Sequence, residues 1–383
     1  MNTVERFQAV FQGKPVDRVP VCAWLGLPLL KTLMGKTTLE LLHTMVSDPL
    51  QIVHVQEQLG LDPILVAVDD RWFSMHRFWR LLYSWPQEAL ENWQVSQEVI
   101  ERGNGFAVYR FVVSTPHGPI RWSYRVGDSQ VSPLERPIQE ERDLDLLIQS
   151  MPDPEWLNQD KLCRIVRQVA DRAFHTFNFM GVWGEAVNMR GLERLITDMY
   201  ESPSFVERLS EFLAERAIRR IKHLAKTGIH SIIYDQSWVG VGFSAETFRK
   251  FMLPYDRKVV SAAREAGLLV SYHNCGRGIQ FLEEMLSTGA EALETLTPKE
   301  NSGDFDLSEV KRRVGNHVTL NGGFNERLLA SGQANEVRDE VTRCLDAAGS
   351  GGRYILRTCG QIMKAAPNNI EIFAETARER GRY

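Results

Sequence analysis

His273 and Cys275 stand two residues apart in Ser271-Tyr272-His273-Asn274-Cys275-Gly276, directly after the apolar run Leu268-Leu269-Val270. Residues i and i+2 of an extended segment share a face, so this imidazole and thiol project toward the same space. A second apolar run, Tyr354-Ile355-Leu356, is followed by Arg357-Thr358 and then Cys359-Gly360. If both strand ends open on one cavity, His273, Cys275 and Cys359 are three soft ligands with a fourth position free. That is how a catalytic zinc site is composed, since structural zinc sites fill all four positions with protein. The same residues also read as two buried thiols and a hydrogen-bonded core histidine. Spacing alone leaves both readings open.

Holding such groups together takes strands that end at one place. Apolar strands are expected near residues 21, 64, 178, 232, 269, 292, 318 and 355, alternating with helical stretches. Alternation implies parallel strands joined by right-handed crossovers, and eight units imply an α/β fold, the (β/α)8 TIM barrel. In that fold the carboxy-terminal strand ends form the active-site mouth. Polar residues gather at those ends: Asp69 and Asp70, Glu185, Asp235, His273 and Cys275, Asn321, Cys359. Helix capping by Asp and Asn explains a share of them. Glu185 is placed at the end of a strand over 177–183. A single helix is expected over about 39–59, and Ser244 is expected to cap a helix.

Two β-rich runs, 106–113 and 120–126, flank Thr115-Pro116-His117-Gly118-Pro119 and read as a β-hairpin inserted after the second strand. The chain is thus one domain over 1–383 with an insertion at about 106–126. Trp72, Phe73, Phe78, Trp79, Tyr83, Trp85 and Trp93 crowd the segment after the second strand. They suit the wall of an apolar pocket, and equally the packing of barrel against insertion.

Composition narrows the class. The 383 residues are 43% hydrophobic and 25% charged with a net charge of -4, which favours neither nucleic acid nor an anionic membrane. Five cysteines are too few for a disulfide framework and fit a reducing compartment. No run approaches the roughly 20 apolar residues that span a bilayer, and residues 1–12 carry Glu5 and no continuous apolar core. A cytoplasmic protein is expected.

Glu5-Arg6-Phe7, Asp17-Arg18-Val19-Pro20, Asp235 with Ser244, Phe248, Phe251 and Pro254-Tyr255, His273-Asn274-Cys275-Gly276, Leu320-Asn321-Gly322-Gly323 and Cys359-Gly360 give the chain a resemblance. It resembles, nearly end to end, the uroporphyrinogen decarboxylase superfamily, and within it the cobalamin (corrinoid)-dependent methyltransferases, which include methylcobalamin:coenzyme M methyltransferases and corrinoid-dependent O-demethylases. In that branch a His-x-Cys pair and a distant Cys bind zinc, and His273, Cys275 and Cys359 match those positions. The decarboxylase proper has an arginine-bearing signature after its first strand, whose arginines pair with porphyrin carboxylates. Here the place reads Cys22-Ala23-Trp24-Leu25-Gly26-Leu27-Pro28, without arginine.

The resemblance implies a Zn2+-dependent enzyme that moves a methyl group between a small substrate, a methyl ether or a thiol, and the cobalt of a corrinoid. No Asp-x-His-x-x-Gly element of a built-in corrinoid domain is present, so the corrinoid is expected on a separate partner protein. Trp24, Trp183 and Trp238 with the aromatic segment favour an apolar, methoxyaromatic substrate over an anionic thiol. Glu185 and Asp235 are candidates for a fourth ligand or proton acceptor, with helix capping or an ion pair to Arg190 as the plain alternative. Trp24, Asp69, Trp183, Tyr272 and Asn321 are candidate substrate-binding residues, Asn274 a turn residue. A homodimer is implied by resemblance alone. The alternatives are a metal-free decarboxylase and a barrel that only binds a metabolite.

Overall fold

The computed structural model describes residues 1–68, 84–127, 131–240 and 242–382. Twelve strands follow in chain order: β1 (Val21–Cys22), β2 (Ile64–Val68), β3 (Gln94–Gly103), β4 (Phe106–Thr115), β5 (Gly118–Gly127), β6 (Val131–Glu135), β7 (Phe174–Met180), β8 (Ser231–Asp235), β9 (Leu269–His273), β10 (Ala292–Thr295), β11 (Thr319–Gly322) and β12 (Tyr354–Arg357). Eight form one parallel sheet in the order β1-β12-β11-β10-β9-β8-β7-β2. This is the expected (β/α)8 barrel, its strands at the expected places.

Side-chain parity divides inside from outside. Cys22, Ile64, Phe174, Ala292 and Ile355 cluster with Phe7, Val10 and Phe11 of the helix Thr3–Phe11, which closes the barrel floor. Strand residues of the same parity therefore face inward, and their neighbours meet the helix layer. Asn2 caps the floor helix through a reciprocal bond pair with Glu5.

Among the described residues the ladder between β1 and β2 is open, and it is stitched at the bottom. Asp62 N–H donates to the Val21 carbonyl at 2.7 Å, and Val21 N–H donates to Asp62 Oδ2 at 2.8 Å. Arg6 and Arg18 both grip the Asp62 carboxylate, at 2.9 and 2.6 Å, and Arg6 also holds Asp17 at 2.7 Å. The amino-terminal motif residues are thus the rivet of the barrel floor. Above the rivet no strand pairing joins β1 and β2 among the described residues.

The structure corrects three details. The helix expected over 39–59 breaks into Thr38–Ser47 and Leu50–Gln58, because Pro49 forces the residue before it out of helical geometry. The insertion is a four-stranded antiparallel sheet, β3-β4-β5-β6, and not a hairpin alone. All ten residues of β3 are exposed, so it carries no apolar alternation by which to recognise it. The strand placed at 177–183 runs instead from Phe174 to Met180, and Val182–Arg190 is a helix. Ser244 caps its helix as expected. Among the described residues no helix is long and apolar enough to cross a membrane.

Candidate functional site

Strand register sets four inward side chains in one row across adjacent strands: Asp235 beside His273, His273 beside Glu294, and Glu294 beside Asn321. His273 Nδ1 lies 2.9 Å from Glu294 Oε1. The other oxygen, Oε2, accepts from Arg357 Nη1 at 2.7 Å and from Asn321 Nδ2 at 3.2 Å. Burial would push the Glu294 carboxyl up, but the Arg357 charge and the His273 bond outweigh it and hold it below the ordinary value. An ionised Glu294 accepts the Nδ1 proton, which leaves Nε2 as the outward-facing nitrogen of His273.

Beyond the row, Cys275 stands exposed on the turn after β9. Its sulfur is 3.4 Å from Ser237 Oγ, and the Ser237 hydroxyl and N–H both donate to Asp235 Oδ1, the latter at 3.0 Å. Burial opposes ionisation of the thiol, yet its interactions with His273 and Ser237 hold it below its ordinary value. Burial likewise opposes a charge on His273, and Asp235, Cys275 and Glu294 together hold it well above the ordinary range.

Cys359 differs. It is buried, with its thiol 4.0 Å from the Leu296 carbonyl, and burial plus the Glu326 charge push it well above the usual thiol range. The loop after β10 touches both cysteines, since the Thr297 hydroxyl donates to the Cys275 carbonyl at 3.2 Å. Leu296, between them in that loop, has a left-handed φ of 55°. Among the described residues no three His, Cys, Asp or Glu side chains gather as a metal site. The structure sets Cys275 against His273 and links it to Asp235 through Ser237, while Cys359 bonds elsewhere.

The other expected residues divide. Asn321 is in the row, but as a buried support for Glu294. Trp24 is half-buried, with the Arg357 guanidinium 5.8 Å from its ring centroid. Tyr272 is a correction: it faces away from the barrel, its hydroxyl donating to Asp256 Oδ2 at 2.6 Å, because strand neighbours alternate faces. Trp183 and Glu185 lie on the helix Val182–Arg190, not at a strand end. Trp183 is 1% exposed and packs edge-to-face on Phe243. Glu185 sits within electrostatic range of Tyr124 on the inserted sheet, and Arg190 pairs with Asp198 at 2.8 Å. Asn274 serves the turn, donating to the Val239 carbonyl at 2.7 Å. Asp69, Asp70 and the aromatics from Trp72 to Tyr83 lie outside the described residues.

Sequence reasoning passed over Glu294, Arg357 and Ser237. Glu294 and Arg357 were visible as charges at inward parity in otherwise apolar strands. Ser237 follows Asp235 at the same two-residue spacing that singled out His273 and Cys275.

Residues 120–380 match the family model described as uroporphyrinogen decarboxylase (URO-D). The chain belongs to the uroporphyrinogen decarboxylase family. Within this family it is similar to the uroporphyrinogen decarboxylase of Aeromonas salmonicida (strain A449), 28% identical over 266 residues, which cover 64% of this chain and 70% of that one. The uroporphyrinogen decarboxylase of Psychromonas ingrahamii is 27% identical over 264 residues, with the same coverage of 64% and 70%. Among solved structures, a methyltransferase from Methanosarcina mazei matches 99% of both chains with a TM-score of 0.68 at 17% identity. That likeness is one of fold. It spans nearly the whole chain.

Proposed function

We propose that this family member is a methyltransferase that works with a corrinoid carried on a separate protein, and that His273 and Cys275 hold a zinc ion in it. The observation that carries the reading is the pairing of an exposed, acidified thiol with an imidazole whose Nδ1 is locked by a buried carboxylate. Metal-binding histidines characteristically donate their second nitrogen to a carboxylate in this way. The donor set of His273 and Cys275 fits zinc. Cys359, matched to the third ligand by resemblance, turns its thiol to the Leu296 carbonyl, so its part in the site is tested separately.

When bound, zinc would supply a Lewis acid able to acidify a thiol or to draw electron density from an ether oxygen. The chain's own residues prepare the place. Glu294 fixes the His273 tautomer, and Arg357 and Asn321 hold Glu294 still. The Cys275 proton has a route out: the thiol donates to Ser237 Oγ while the Ser237 hydroxyl donates to Asp235, so Asp235 is the proton acceptor. The absence of arginine over Cys22 to Pro28 disfavours a substrate with many carboxylates, although the curated relatives are decarboxylases. A homodimer and a cytoplasmic site of action belong to the same reading.

The test is zinc content by elemental analysis of freshly reduced protein, alongside Cys275→Ala and Cys359→Ala. About one zinc per chain, lost in Cys275→Ala, supports the reading; loss in Cys359→Ala as well makes Cys359 the third ligand. No zinc in the reduced wild type overturns it in favour of a metal-free decarboxylase.

A further inference from the structure

Asp235 and Ser237 alternate along the chain with Tyr234 and Gln236, and His273 is preceded by Tyr272. Strand parity turns these three neighbours away from the mouth and toward the helix layer. There they converge on one carboxylate, that of Asp256 in the helix Leu253–Glu265. Its Oδ1 accepts from the Tyr234 hydroxyl at 2.8 Å and from Gln236 Nε2 at 2.5 Å, and its Oδ2 accepts from the Tyr272 hydroxyl at 2.6 Å. All four side chains are buried.

A buried carboxylate whose donors are all neutral is a poor way to stabilise a fold. It keeps the desolvation cost of a charge without the return of an ion pair, and apolar packing commonly serves as well. What a bonded buried network does supply is one arrangement of the elements that meet in it. Here those elements are β8 and β9, whose ends carry the candidate site. Gln236 N–H donates to the His273 carbonyl at 2.9 Å, and beyond that bond the Cys275 sulfur meets Ser237 Oγ at 3.4 Å. Gln236 is fixed from two sides, by Asp256 and by Gly181, where an added Cβ would lie 2.4 Å from its Cδ. Tyr234 extends the same grip to the helix Val182–Arg190, its hydroxyl accepting from the Val182 N–H at 3.1 Å.

We propose that Asp256 is a positioning residue for the mouth. By gathering Tyr234 and Gln236 from the end of β8 and Tyr272 from β9 onto one carboxylate, it sets the two strand ends at the spacing at which Ser237 reaches Cys275. It bonds neither the thiol nor the imidazole and acts through the residues that alternate with the site residues. The assignment deepens the methyl-transfer reading, on which it rests for the use made of the thiol, while the positioning itself requires no metal.

The test is the rate at which iodoacetamide labels Cys275 in the full, metal-stripped chain at neutral pH, read by peptide mass spectrometry with Cys163 as internal reference. The proteins are wild type, Asp256→Leu, Asp256→Asn, Tyr272→Phe, Ser237→Ala and the double variant Asp256→Leu/Ser237→Ala, each checked for folding by circular dichroism. Asp256→Leu is expected to slow Cys275 about tenfold. Asp256→Asn is expected to stay near wild type, because its carbonyl still accepts from Tyr234 and Gln236 and its amide can donate to the Tyr272 oxygen. The double variant should be no slower than Ser237→Ala, since Asp256 works through Ser237, whereas a general loosening would add to it. Tyr272→Phe cuts the bond to β9 alone and is expected to slow Cys275 by a smaller factor, which keeps the test open if Asp256→Leu does not fold. A wild-type rate in every folded variant of Asp256→Leu and Tyr272→Phe, or additive slowing in the double variant, overturns the assignment. So does an Asp256→Asn as slow as Asp256→Leu, which would trace the effect to charge. Zinc content separates this from the methyl-transfer reading. Labelling that depends on Asp256 in a chain that takes up no zinc keeps the positioning and sinks the metal; zinc bound by a chain whose labelling ignores Asp256 does the reverse.

Discussion

The carboxylate of Glu294 lies 2.9 Å from His273 Nδ1, and its side chain, 1% exposed, is almost sealed from water. Its second oxygen is spent on Arg357, at 2.7 Å, itself 4% exposed. Removing one member of such a set strands the others. Glu294→Gln is expected to lower unfolding stability by about 3–5 kcal/mol, because Arg357 keeps a buried charge without its counter-ion. Adding Arg357→Met to Glu294→Gln should return part of that loss. Urea denaturation of the three proteins checks it, and a single variant as stable as wild type would show that the carboxylate is not buried in this way.

The five thiols should separate by reactivity. Cys275 is exposed and its thiol is held below the ordinary range; Cys163 is half-buried; Cys22, Cys344 and Cys359 are buried, and burial raises the first two to about 12. Brief iodoacetamide treatment of native, metal-stripped protein, read by peptide mass spectrometry, is expected to label Cys275 first and Cys359 only after denaturation. Equal labelling of Cys275 and Cys359 in the native state would place Cys359 at the open mouth after all.

How much of this was legible in the residues follows from what each one does alone. The barrel was readable because its eight inner strands are buried on both faces and appear as short apolar runs between helical periods. His273, Cys275 and Asp235 were readable because i, i+2 parity and strand-end position are local properties. The same parity rule places Tyr272 opposite His273, on the helix-facing side, so its assignment to the mouth ran against the logic that found its neighbour. Glu294 and Arg357 matter through each other across two strands, β10 and β12, and no local pattern reports a pairing of that kind. The exposed strand β3 is defined by its partner β4 rather than by its own side chains. The site's support is thus non-local, while its reactive groups are local.

Gly322, at the end of β11, has φ of 134°, and a Cβ there would lie 2.1 Å from the Thr295 carbonyl oxygen. Gly323 N–H donates to that same oxygen at 2.9 Å. Both the backbone conformation and the contact exclude a side chain. Gly322→Ala is expected to cost about 2 kcal/mol or more and to disturb the 295–297 loop that touches Cys275 and Cys359. A melting temperature within a degree of wild type would mean that the β10 and β11 loops can part without penalty.

Asp256 offers a pH test outside the mouth. Its carboxylate is fully buried and accepts from Tyr234 at 2.8 Å, Tyr272 at 2.6 Å and Gln236 at 2.5 Å, all neutral donors. Burial raises its pKa to about 6, and the three donors only partly offset this. The folded value thus stands above the unfolded one, which is near 4. A group of that kind contributes its full stability below the unfolded pKa and loses it as pH rises through the folded one. Between pH 4 and 7 the Asp256 contribution should therefore fall by about 2 kcal/mol, most of the free-energy equivalent of the gap between those two values. Asp256→Asn cannot ionise, so the stability difference between wild type and variant should move against wild type by that amount over the same interval. Urea midpoints at pH 4, 5, 6 and 7 measure it. A difference that stays flat, or moves in favour of wild type, would mean that the three donors outweigh burial and that Asp256 is already ionised in the folded barrel at pH 4.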